Sequence, residues 1–195
     1  MSRRKLLAIV GDAGVEPGSL GWEAAFRLGQ LAVDAGFRVL CGGMRGVMEA
    51  ACRGAHASPL YREGDTVGVL PVGDPDEANE WVDIVLATHL DTARNTLIAN
   101  ADAVVAVGGG AGTLTEIGFA WQYKRLIVGL DVPGWSQRLA GAPLDKRVRY
   151  PEIADDQVFI AATPEAAMQI VAERLPQYGV RHLGFGVAKA NGQRR

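Results

Sequence analysis

Residues able to do chemistry gather in one stretch, Gly108-Gly109-Gly110-Ala111-Gly112-Thr113-Leu114-Thr115-Glu116. Ahead of it Ala103 to Val107 is a run of small and β-branched residues, the pattern of a strand buried on both faces. From Thr113 onward, apolar residues at Leu114, Ile117, Phe119, Ala120 and Trp121 give a helical pattern. The order is strand, glycine turn, helix. Gly109, Gly110 and Gly112 leave the main-chain N–H groups open to an anion, and the first helical turn adds unpaired N–H groups with a partial positive charge. With Thr113 they form a candidate phosphate cradle. Glu116 lies one turn into the helix, where side chains lean back toward the N-terminus. Two readings of it stand side by side. It caps its own helix in a Thr113-to-Glu116 capping box, or its carboxylate also faces a ligand.

Two further loops carry similar chemistry. Strand Phe37 to Cys41 runs into Gly42-Gly43-Met44-Arg45-Gly46, and a helix over about 47–57 follows. Strand Lys5 to Gly11 runs into a turn-rich loop that opens on Gly11 and Asp12. Asp12 reads either as a contact to a ribose or base or as turn chemistry. Met44 and Met48 flank Gly46, as core or as an apolar wall for a base. Arg94 and Asn95 fall in the first turn of a short helix over about 92–101, just before the main glycine stretch.

The remaining elements must position these loops. Helices are expected over about 20–35, stopped by Gly36, and from Thr163 with Pro164 at its first position to about Leu175. Strands are expected at Thr66 to Leu70, Val82 to Ala87, Arg125 to Leu130 and Val158 to Ala162, with a break at Pro133-Gly134 and loop over 141–156. Strands alternating with helices predict a doubly wound α/β fold with a mainly parallel sheet and helices on both faces. Ligands bind such sheets at the carboxyl ends of strands, at the switch point. All three glycine-bearing loops follow strands, so all three belong on that edge.

Composition limits the chemistry. A chain of 195 residues supports one domain with a full core. A net charge of −2 gives no bulk basic field for nucleic acid, and no apolar run is long enough to span a membrane. Cys41 and Cys52 make no disulfide framework, which suits a reducing cytoplasm. His56, His89 and His182 have no metal-ligand spacing, so no metal is expected. There is no P-loop, no dinucleotide GxGxxG and no Gly-x-Ser-x-Gly elbow.

These residues resemble a known family. The stretch Gly108 to Glu116 is similar to the PGGxGTxxE signature of the LOG ("Lonely Guy") proteins, long labelled "possible lysine decarboxylases". Gly42 to Met48 is similar to their second glycine motif. Thr66 to Pro71, Ala78-Asn79, Ala93-Arg94-Asn95 and Ala101-Asp102-Ala103 resemble a sister branch, the molybdenum-cofactor carriers and other Rossmann-like proteins. The resemblance covers about residues 5–175. It implies a Rossmann-like fold and a phosphorylated ligand. LOG enzymes cut the N-glycosidic bond of a nucleoside 5′-monophosphate, so the resemblance gives Glu116 and Arg94 the catalytic roles and Asn95 a contact to sugar or phosphate. Two departures stand out. The signature proline is Gly108 here, and the family's arginine aligns with Ala93, one residue before Arg94. Pyridoxal phosphate finds no suitably placed lysine among Lys5, Lys124, Lys146 and Lys189, so decarboxylation is not expected.

The expectations are therefore these. Residues 1–175 form one Rossmann-like domain, and 176–195 form a tail that is mobile or draped on the surface. The ligand is a small phosphorylated molecule, a nucleotide or the molybdenum cofactor, and no cofactor is required. The activity is either phosphoribohydrolase or a carrier or sensor function without turnover. The protein is a homodimer or homotetramer, since the helix after the glycine turn is apolar nearly all round and would bury one side on the sheet and the other on a partner.

Overall fold

The computed structural model describes residues 3–179. Seven strands form one sheet: β1 Leu6–Gly11, β2 Arg38–Cys41, β3 Thr66–Leu70, β4 Ile84–Ala87, β5 Ala103–Val107, β6 Leu126–Leu130 and β7 Val158–Ala161. Six helices accompany them: α1 Leu20–Asp34, α2 Val47–His56, α3 Asn95–Ala99, α4 Ala111–Gln122, α5 Trp135–Leu139 and α6 Pro164–Arg174. The strand order is β4-β3-β2-β1-β5-β6-β7, and every neighbouring pair is parallel. The chain winds outward from β1 in one direction and from β5 in the other. The switch point lies between these two strands, where Gly11 pairs with Val107.

Alternation along the central strands feeds two cores. Leu7 and Ile9 of β1 face α1, α2 and α6, together with Val105, Leu28 and Val171. Ala8 and Val10 face the other side, with Val104, Ile98, Ile117 and Trp121 of α3 and α4. On the first face, α1 and α2 cross with their backbones in contact. A Cβ on Gly29 would sit 1.9 Å from the Ala51 carbonyl oxygen, and one on Gly54 would sit 1.8 Å from that of Phe26. The caps agree with the sequence: Ser19 accepts the Trp22 N–H at 3.4 Å, and Thr163 accepts that of Ala166 at 3.1 Å.

Four local readings change. First, α4 begins at Ala111 rather than Thr113. Gly110 takes the N-cap position with no side-chain cap, and its carbonyl accepts the Leu114 N–H at 3.0 Å. Glu116 is thus the sixth residue of α4, too far in to close a capping box. Second, the region holding Arg94 is a 3-10 turn over Asp91–Arg94, and α3 starts only at Asn95. Third, β4 starts at Ile84, and α5 occupies a stretch for which no element was expected. Fourth, α4 is covered by this chain itself at Trp121, while Leu114 and Phe119 stay half-buried. The Arg149 guanidinium lies 3.5 Å over the Trp121 ring, and Trp121 Nε1 donates to Asp145 at 3.3 Å.

The packed unit also runs past residue 175. Tyr178 is buried, packs edge-on to Tyr150 with ring centroids 4.9 Å apart, and donates its hydroxyl to Asp156 at 2.7 Å. The rest of the expected tail lies outside the described residues. No helix among the described residues is long and apolar enough to cross a membrane.

Candidate functional site

The carboxyl ends of β1, β2 and β5 open on one cleft of about 280 Å³. Its walls come from all three glycine-bearing loops: Gly11, Asp12 and Ala13 after β1, Gly42 after β2, and Gly110, Gly112 and Thr113 after β5. Arg94, Asn95, Glu116 and Met48 complete it. Elements far apart in sequence meet here because each loop follows a strand near the switch point.

The cradle after β5 has a definite shape. Gly108 and Gly109 take φ of +60° and +89°, a region that glycine enters without strain. Their carbonyls turn away from the cleft and accept the N–H groups of Ser136 and Trp135 at 2.9 and 3.0 Å. Among the described residues, no protein group accepts the N–H of Gly110, Ala111, Gly112 or Thr113. A Cβ on Gly110 or Gly112 would meet open space. The result is a patch of free donors at the positive end of a twelve-residue helix.

Arg94 and Glu116 face each other in the cleft, with Nη1 to Oε1 at 3.4 Å. Both are largely covered, their side chains 12% and 8% exposed. Burial pushes the Glu116 carboxyl up to about 7, and the Arg94 charge opposes that shift without cancelling it. Arg94 Nε has no hydrogen-bond partner among the described residues. The guanidinium also rests on Gly42, where a Cβ would come within 2.7 Å of both terminal nitrogens. The one-residue offset of Arg94 from the family's arginine therefore does not remove it from the cleft. The preceding turn, with Asp91 at φ +48° and its N–H held by the Pro71 carbonyl at 2.9 Å, is what aims it inward.

Other predicted residues have quieter places. Asn95 is buried and lines the cleft, but its amide donates to Thr115 Oγ1 at 2.8 Å, tying α3 to α4. Asp12 Oδ1 accepts the Gly14 N–H at 2.8 Å, which is turn chemistry. Gly43 and Gly46 do not line the cleft. Gly43 packs on Gly68 and Leu70, while Gly46 lets the Asp12–Ala13 backbone approach, and Val47 donates to the Asp12 carbonyl at 2.9 Å. Gly109 sits over the Thr113 side chain. Met48 forms part of the wall, whereas Met44 faces a separate surface hollow with Glu49 and Asn79. Sequence reasoning missed Ala13 and the α5 segment behind the cradle. The Pro133-Gly134 break followed by Ser136 was the available signal for the latter. Among the described residues no cluster of three or more His, Cys, Asp or Glu could hold a metal ion.

Fold and site together define a doubly wound α/β protein with a glycine-lined cleft at its switch point. The chain matches the model of the SLOG cluster4 family over residues 4–168, and it belongs to that family. Similar solved structures include the molybdenum cofactor binding protein from the phototrophic bacterium Rippkaea orientalis. It is 29% identical, with 89% of this chain and 98% of that one covered and a TM-score of 0.73. The Moco carrier protein from Chlamydomonas reinhardtii is 28% identical, with 90% and 99% covered and a TM-score of 0.71. A protein of Archaeoglobus fulgidus is 36% identical over 113 residues, 57% of this chain and 72% of its own. The chain thus resembles the molybdenum-cofactor-carrier-like branch over most of its length.

Proposed function

We propose that this protein binds a small phosphorylated ligand in the switch-point cleft and carries it without turnover. The observation behind this reading is the set of free N–H groups at the start of α4 beside Arg94, whose Nε has no partner among the described residues. A phosphate monoester supplies acceptors for both. The open space at Gly110 and Gly112 suits an approach close to the backbone. The two solved relatives are described as binding or carrying the molybdenum cofactor, which makes a phosphorylated cofactor of that kind the first ligand to test. A nucleoside monophosphate offers the same phosphate chemistry.

Phosphoribohydrolase activity remains the second reading, and one observation favours it. Glu116 is a buried carboxyl raised to about 7 inside the cleft, the kind of group that acid–base chemistry uses. Against it, Glu116 is turned to Arg94 at 3.4 Å. One experiment separates the two. Purified protein is incubated with AMP and, separately, with the molybdenum cofactor, following binding and base release. The carrier reading expects binding, no adenine release, and at least a tenfold weaker affinity in Arg94→Ala. Adenine release that Glu116→Gln abolishes would establish the hydrolase instead.

Assembly belongs to the same proposal. Ile84 and Leu86 are exposed apolar side chains on β4, a strand that ends the sheet among the described residues. We assign a second copy of this chain to that edge.

A further inference from the structure

The cradle is held from behind by a segment that the ligand reading does not use. Ser136, the second residue of α5, is fully buried. Its hydroxyl oxygen accepts the Gly108 N–H at 2.7 Å. The same hydroxyl donates to the Leu130 carbonyl at 2.8 Å, at the end of β6, with the Val132 carbonyl at 3.2 Å. The Ser136 N–H returns to the Gly108 carbonyl at 2.9 Å, so Ser136 grips both polar groups of one glycine. Trp135 takes the next carbonyl, that of Gly109, at 3.0 Å. Gly134 makes this approach feasible, since a Cβ there would lie 2.5 Å from the Gly108 carbonyl carbon.

The consequence is directional. Gly108 and Gly109 sit at positive φ, and glycine backbone in that region has many near-equivalent conformations. Nothing intrinsic to three successive glycines fixes which way their peptides point. With Gly108 N–H, Gly108 C=O and Gly109 C=O all bound on the α5 side, the chain leaves the turn in one orientation. The N–H groups of Gly110 to Thr113 then present themselves to the cleft together.

We propose that Ser136 is a positioning residue for anion binding, acting through the Gly108 peptide to orient the donors at the start of α4. This inference rests on the anion-binding reading of the cleft. It predicts a preorganised cradle, in which the ordering cost is met in the ligand-free protein.

The test uses the full chain and inorganic phosphate, with amide NMR and calorimetry. In wild-type protein without phosphate, the Gly108 amide should exchange slowly and those of Gly110 and Gly112 rapidly. Phosphate should shift and protect Gly110 to Thr113. Ser136→Ala should weaken phosphate binding tenfold or more and spread the Gly108 to Gly110 resonances. Val33→Ala, a core truncation in α1 remote from the cradle, should lose comparable stability yet bind phosphate like wild type. Ser136→Cys keeps the shape with a weaker acceptor and should fall between wild type and Ser136→Ala. Equal phosphate affinity in Ser136→Ala and wild type overturns the proposal. So does fast Gly108 exchange in wild type, which needs no variant to fold. Failure of wild type to bind phosphate at Gly110 to Thr113 overturns the cleft reading itself, and the positioning role with it.

Discussion

The Arg94–Glu116 pair makes one side chain answer to two partners. Above about pH 7 Glu116 is ionised and holds the guanidinium; below it the carboxyl is neutral and Arg94 is released to an incoming anion. Sulfate is a suitable probe because its own charge is constant over this range. Sulfate affinity should rise several-fold, up to about tenfold, between pH 8 and pH 6, and Glu116→Gln should flatten that dependence. Stability follows the same proton. The carboxyl is raised in the folded state, so its contribution is fully present below the ordinary carboxylate value of 4.5 and is lost as pH rises through about 7. Thermal melts of wild type should therefore weaken across that window, and those of Glu116→Gln should weaken less. Calorimetry and melting curves on the two proteins check both statements. The sequence pointed to Glu116 and Arg94, but not to their contact, which depends on a strained turn at Asp91 and on a glycine at position 42.

At the scale of elements, the sequence was most readable where one physical signal dominated. Thr66–Leu70 and Ala103–Val107 are runs of mostly β-branched or small residues, and their observed bounds match the reading. Thr163 with Pro164 marked the start of α6 for the same reason. The start of α4 was displaced because threonine is a familiar cap, whereas here a glycine with no side chain closes the first turn with its own carbonyl. The short α5 was invisible because five residues carry too little periodicity to register. Its role is tertiary, set by the backbone of Gly108 and Gly109. Nor does the sequence reveal why α1 and α2 contain glycines, since helical glycine is locally unfavourable. Contact between their backbones supplies the reason. Gly29→Ala should cost about 3 kcal/mol in a denaturant titration, because the clash is with main chain that cannot swing aside. An exposed helical glycine such as Gly112, with nothing near its Cβ position, should tolerate alanine without loss of stability.

For the molecule as a whole, strand order could not be read from the chain, although strand count and parallel sense could. The alternation of strands and helices dictates parallel connections, but only the packing decides that β5 returns beside β1. That return creates the crevice and brings residues 11, 42, 94 and 110 together. The edge at β4 raises the question of assembly. Light scattering should give a molar mass that is a multiple of 20.7 kDa, and Leu86→Lys should shift it toward the single-chain value. A single-chain mass in wild type would remove the edge from consideration.

The two cysteines lie beneath the cleft floor, Cys41 at the end of β2 and Cys52 in α2, with their sulfurs 3.5 Å apart and no exposed surface. Hydrogen bonding between them holds the Cys41 thiol below its ordinary value and the Cys52 thiol well above it. An alkylating reagent should reach neither sulfur while α2 stays seated, and departure of that helix should open both to it together. The chain thus carries an internal stopwatch: the pace of paired thiol capture reads how often the sheet sheds α2, with no mutation added.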